Sequence, residues 1–173
     1  MTEREVKIRV PDLDAFPPRL EAMGATYVGV EQEINHILDT ADATMLRKSQ
    51  VLRVREADKN TLTWKGRSAA DDAYGHKVRE ELEVTFGGDA ADTMLSILSR
   101  LGFQETLRYQ KVRTSWRWQS VVIALDRLDF GTFIEVEGDA SAIQHALHLL
   151  QIEHLPVETR SYPELQRLAQ QDR

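Results

Sequence analysis

Apolar and polar residues alternate with a period of two in eight segments of the chain, which predicts eight β-strands. They are Glu3 to Val10, Tyr27 to Leu38, Val51 to Glu56, Thr61 to Lys65, Lys77 to Phe86, Thr106 to Gln119, Ser120 to Asp126 and Thr132 to Gly138. Four stretches read as helices instead. Arg19 to Met23 is short and stops at Gly24. Asp89 to Leu101 puts Met94, Leu95, Leu98 and Leu101 on one face and stops at Gly102. Ser141 to Leu150 aligns Ile143, Leu147 and Leu150, and Tyr162 to Ala169 carries Pro163 near its first turn. The order strand, helix, glycine stop and long strands occurs twice, from Glu3 and again from Arg79, so two similar halves could close one sheet. Gly66 to Gly75 reads as a mobile loop and no long linker interrupts the chain, so 1–173 is expected to form a single domain.

Composition narrows the class. A chain of 173 residues can bury a core without staples, and 42% apolar with 29% charged residues is not a disordered composition. Lys and Arg number 22 against 28 Asp and Glu, a net charge of -6, which excludes a broadly basic nucleic-acid footprint. With no cysteine, disulfides, thiolate metal sites and cysteine nucleophiles are excluded. The longest apolar run, Val121 to Leu125, is too short to span a bilayer, and the N-terminus lacks the apolar stretch of a signal peptide. A cytoplasmic protein with neither a membrane nor a nucleic-acid polymer as partner is expected.

Charge changes the picture most. Residues i, i+2 and i+4 of a strand share a face. Glu3, Glu5 and Lys7 therefore oppose Val6, Ile8 and Val10. Arg53 and Arg55 oppose Leu52 and Val54; Arg79, Glu81 and Glu83 oppose Leu82 and Val84. Lys111 and Arg113 oppose Val112, and Glu135 and Glu137 oppose Ile134 and Val136. Lys65 and Asp126 also fall on strands, while Trp116 and Trp118 lie on the face opposite Arg113 and are expected beneath outer helices. Alternating charge on one strand usually means a solvated face. Here it runs through most strands, with carboxylates paired on some and bases on others. If helices cover the apolar faces, a closed antiparallel barrel with a charged interior satisfies both demands. Such a lumen needs its charges paired or liganded. A polyphosphate with a divalent metal does both: carboxylates suit magnesium or manganese, and Arg and Lys suit phosphate.

The segments Glu3-Arg4-Glu5-Val6-Lys7, Leu52-Arg53-Val54-Arg55, Thr63-Trp64-Lys65-Gly66, Arg79-Glu80-Glu81-Leu82-Glu83, Lys111-Val112-Arg113, Leu125-Asp126 and Gly131 to Glu137 occur in that order. In this set and order the chain resembles the CYTH family, the triphosphate tunnel metalloenzymes. Thr159 to Leu165 is similar to the family's C-terminal segment. The resemblance implies an α+β fold, an eight-stranded antiparallel tunnel with a charged lumen and helices outside. It implies that Glu3, Glu5, Glu135 and Glu137 hold an activating Mg2+ or Mn2+ and that Asp126 helps hold a second ion. It implies that Lys7, Arg53, Arg55, Lys65, Lys111, Arg113 and Arg160 grip a triphosphate, with Lys7, Glu5 and Asp126 catalytic. Arg79 either binds phosphate or neutralises Glu81 and Glu83. Homodimers occur in the family.

The implied reactions divide on the nucleophile. A ribose 3′-hydroxyl attacking the α-phosphorus of ATP makes cyclic AMP and pyrophosphate; water attacking releases phosphate from tripolyphosphate, thiamine triphosphate or a nucleoside triphosphate. Asn35 and Ile37 stand where Asp and an aromatic are common in the family, and a tyrosine that assists hydrolysis in some members has no counterpart in this segment. The first expectation is the class IV adenylate cyclase reaction, the second a triphosphatase. A non-catalytic polyphosphate- or nucleotide-binding module is disfavoured, because an anion binder needs few carboxylates.

Overall fold

In the computed structural model, residues 2–68, 76–88 and 90–171 are described. Among them the chain forms β1 (Thr2–Arg9), α1 (Pro17–Ala22), β2 (Thr26–Thr40), α2 (Thr44–Arg47), β3 (Val51–Glu56), β4 (Asn60–Lys65) and β5 (Lys77–Phe86). It continues through α3 (Ala91–Arg100), β6 (Phe103–Trp118), β7 (Val121–Leu128), β8 (Gly131–Glu137), α4 (Ala140–Leu149) and α5 (Tyr162–Gln171). The helix start expected at Asp89 and most of the expected loop, residues 69–75, lie outside the described residues.

The strands close a barrel in the order β1-β5-β4-β3-β2-β6-β7-β8, each antiparallel to its neighbours. The twofold pattern of the sequence is the pattern of closure. β1 pairs with β5 and β2 with β6, so corresponding strands of the two halves form the seams. In each half the helix after the first strand stops at a glycine in the left-handed region, Gly24 at φ 80° and Gly102 at φ 94°. β5 pairs with β1 only along Thr2 to Glu5. Beyond that, Ile8 bridges Val157, and the Glu158 N–H donates to the Lys7 carbonyl at 2.7 Å. The segment before α5 thus continues the wall where β5 has not begun.

The apolar strand faces point outward. Val6, Ile8, Trp116, Trp118, Ile123 and Ile134 pack with Leu20 of α1 and Ile143 and Leu147 of α4. Leu38, Leu52 and Val54 pack with Leu98 of α3. The two tryptophans are buried beneath helices, as their register predicts. The helical cover is incomplete, however: Val28, Val30, Leu82, Val84 and Val112 are exposed. Some boundaries also differ from the sequence reading. β2 and β6 are longer than their alternation suggests, because each supports the other along a single ladder from Thr26 to Thr40. β7 begins at Val121, since Gln119 turns the chain with φ 49°. The four-residue α2 has no apolar stripe to announce it; the Asp39 carboxylate holds it by accepting from the N–H groups of Met45 and Leu46 at 2.8 and 3.0 Å. Among the described residues no helix is long and apolar enough to cross a membrane.

Candidate active site

The charged strand faces converge inside the barrel. A cavity of about 510 Å³ is lined by eight bases and six carboxylates. The bases are Lys7, Arg53, Arg55, Lys65, Lys77, Arg79, Lys111 and Arg113, and the carboxylates are Glu3, Glu5, Glu81, Glu83, Glu135 and Glu137. Every tunnel base expected from the sequence except Arg160 lines the cavity, and so does every expected metal ligand except Asp126.

The charges pair in local groups. Lys65 bridges Glu3 and Glu81 at 2.8 and 2.9 Å. Lys7 reaches Glu135 at 3.7 Å, and Arg113 also bonds Glu135. Asp126, fully buried, accepts from Arg113 Nε at 2.8 Å and Nη2 at 2.6 Å, from Lys111 at 3.4 Å and from the Tyr162 hydroxyl at 2.7 Å. The resemblance implied that Asp126 helps hold a second ion; in this structure its oxygens meet Arg113, Lys111 and the Tyr162 hydroxyl of α5. Burial works against the Arg113 cation, but Asp126, Glu135 and Glu33 outweigh it and hold its proton more firmly than an ordinary guanidinium does.

The carboxylates behave differently on the two sides of the lumen. Glu5 and Glu137 are directly opposed across β1 and β8 and make no ion pair among the described residues. Burial first, and then the Glu135 and Glu3 charges, raise the Glu5 carboxyl against the pull of Lys65. Burial, Glu3 and Glu5 raise Glu137 in the same way. Burial and Glu81 raise Glu3 as well, despite Lys65. These are carboxylates short of positive charge, the donor chemistry that a hard divalent cation satisfies. As they stand, no three His, Asp or Glu side chains among the described residues are grouped closely enough to ligate one ion. Among the bases the opposite holds. The Nε donors of Arg53, Arg55 and Arg79 are buried without hydrogen-bond partners. Buried donors are nearly always satisfied, so three orphans lining one tunnel, from β3 and β5, suit an anionic acceptor.

Several site residues were not among those singled out from the sequence. Glu33 is buried and faces Lys111 at 3.3 Å, Arg113 at 3.8 Å and Arg55 at 3.9 Å. Burial raises its carboxyl, and these bases together take it below the ordinary range. Lys77 faces Glu5 across the β1–β5 ladder, and its ammonium donates to the Thr159 carbonyl at 3.2 Å. Burial, then Arg79 and Lys7, lower Lys77 to about 8. Tyr109 lines the cavity, and burial above all pushes its phenol up to about 12. All three were within reach of the period-two rule, since Lys77 continues the Arg79 face, Tyr109 the Lys111 face, and Glu33 the Asn35 face. Tyr162 and Pro163 come from α5, and nothing in the strand pattern places them at the tunnel. Arg160 is held by Glu158 at 2.6 and 2.7 Å, is 52% exposed and does not line the cavity.

The family model described as "CYTH domain" matches residues 1–162. The chain belongs to the CYTH family. A Methanocaldococcus jannaschii protein provisionally named an adenylate cyclase is 26% identical over 145 residues, 83% of this chain and 80% of the relative. A solved structure from Vibrio parahaemolyticus, also provisionally named an adenylate cyclase, is 26% identical with a TM-score of 0.76, covering 96% of this CYTH chain and 98% of its own. A Hippeastrum protein, 20% identical, shares the fold with a TM-score of 0.77 over 96% of both chains. It is described as a provisional adenylyl cyclase with a dominant triphosphatase activity.

Proposed function

We propose that this CYTH protein is a divalent-cation-dependent phosphoryl-transfer enzyme acting on a triphosphate held in the tunnel. The observation that carries this reading is the set of orphaned arginine donors that share one cavity with carboxylates short of positive charge. Lys7, Arg53, Arg55, Lys65, Arg79, Lys111 and Arg113 bind the phosphate oxygens and fix the chain for in-line attack. Glu5 and Glu137 have the donor chemistry for Mg2+ or Mn2+, and Glu3 and Glu135 on the same two strands would complete the set by leaving their present bases; the ion, when bound, would neutralise oxyanion charge in the transition state. Arg113, oriented by two hydrogen bonds to Asp126, suits the charge that develops on the leaving phosphates.

The first reading of the reaction is cyclisation of ATP. The 3′-oxygen bonds to the α-phosphorus, the bond to the bridging β-phosphate oxygen breaks, pyrophosphate leaves, and the hydroxyl proton passes to solvent. The names of the two 26% identical relatives support it. The second reading, hydrolysis of a triphosphate by water, is supported by the activity described for the Hippeastrum protein. Phosphorus NMR of products from ATP with manganese, and from tripolyphosphate with magnesium, separates them. Cyclic AMP with pyrophosphate is the outcome expected of a cyclase and orthophosphate that of a triphosphatase. No product from either would overturn the enzymatic reading.

A further inference from the structure

The tunnel differs from end to end. On the lumen face of β1 the order is Glu3, Glu5, Lys7, and Lys7 is the one that meets α5, with its ammonium 4.2 Å from the Tyr162 ring centroid. Glu3 lies four residues back, about 13 Å along an extended strand. The carboxylates short of positive charge therefore crowd toward one end, and α5 closes the other. At the α5 end the wall changes character. Ile37 of β2, Val51 of β3, Tyr109 of β6 and Tyr162 and Pro163 of α5 line the same cavity as the charges. Ile37, Tyr109 and Tyr162 belong to one apolar cluster with Phe133 and Leu165, and Val51 packs against it. The phosphate grip begins where this wall ends, because Lys111 also approaches the Tyr162 ring, at 5.3 Å.

An inorganic polyphosphate has no use for such a wall. Its whole surface is charged or polar oxygen, and pressing it against carbon removes water without replacing it. A cavity of about 510 Å³ is also of the size that encloses an organic ligand with a few placed polar contacts. Resting on the triphosphate reading above, we infer that the apolar chamber at the α5 end seats the organic group of a triphosphate ester, so that the protein acts on organic rather than inorganic triphosphates. This sets the direction of the substrate. The esterified phosphate meets Lys7 and Lys111, and the terminal phosphate points toward Lys65 and the Glu3, Glu5 and Glu137 carboxylates.

The test is calorimetric binding, with magnesium, of two ligands blocked at both phosphate bridges: α,β:β,γ-bismethylene ATP and diimidotriphosphate. Two variants alter the chamber alone, the double substitution Ile37→Ala with Val51→Ala, which strips its wall, and Val51→Phe, which fills it. In each, α,β:β,γ-bismethylene ATP is expected to bind about tenfold more weakly. Diimidotriphosphate is expected to bind as it does to the wild type, which also shows that the variants fold. Equal weakening of both ligands, or no change in either, overturns the chamber. If the wild type binds neither ligand, the triphosphate reading falls, and the inference falls with it.

Discussion

Glu5 illustrates how a side chain proposed to hold the metal also makes the metal-free tunnel less stable. Its carboxyl is raised by burial and by the Glu135 and Glu3 charges, so the folded protein holds that proton to a higher pH than the unfolded chain does. Ionised Glu5 is therefore unfavourable to the fold above the ordinary carboxylate range, and the penalty is relieved as pH falls through the raised value. Glu5→Gln is expected to abolish turnover while raising the thermal midpoint of the metal-free protein at pH 8, with the gain shrinking toward pH 5; melting curves across that range check it, and a lowered midpoint at pH 8 would contradict it. Lys77 makes the complementary case. With its ammonium lowered to about 8, its charge is lost at mildly alkaline pH. Triphosphate affinity is expected to weaken as pH rises through about 8 in the wild type and to stay level in Lys77→Arg, measured by calorimetric titration at several pH values. Glu33, Lys77 and Tyr109 each sit two residues from a position the sequence had already marked, so alternation made their facing legible. Their importance was not legible, because a lone Glu on a strand is ordinarily solvated and only closure brings Glu33 against three bases.

At the scale of elements, strands were easier to read than ends. Period-two alternation located every strand, and paired charges gave the lumen face of β1, β3, β5, β6 and β8. Helix α2 escaped because the Asp39 cap, rather than an apolar face, forms it. Arg160 was expected at the phosphates because it stands in the C-terminal motif, yet Glu158, two residues earlier, takes it outward. The same motif delivers Tyr162 instead, whose hydroxyl reaches Asp126 and whose ring meets Lys7 and Lys111. Helix α5 docks through Tyr162, Pro163 and Leu165, all buried. Leu165→Ala is expected to destabilise the protein by about 3 kcal/mol, the usual loss for a buried leucine that leaves a cavity. Denaturant unfolding checks it, and a loss under about 1 kcal/mol would mean that α5 contributes little to the closed end.

For the whole molecule, the tunnel is a balance of opposed charges that awaits a ligand. On the function proposed above, a magnesium–triphosphate complex that satisfies the orphaned Arg53, Arg55 and Arg79 donors is expected to bind the folded state alone. At one hundred times its dissociation constant it is expected to stabilise the fold by about 2.7 kcal/mol, read as a rise in thermal midpoint absent with magnesium alone. The sequence by itself determined the strand count, the side of most strands that faces the charges, the twofold repeat and most bases of the tunnel. It could do so because side-chain alternation is a local property of extended backbone. Tertiary structure alone decided which charges meet. It joined Asp126 to Arg113 and Tyr162, left Glu5 and Glu137 opposed, and set an apolar chamber at the α5 end. Those outcomes depend on register between strands far apart in the chain and on where the last helix docks, and neither is written in any one segment.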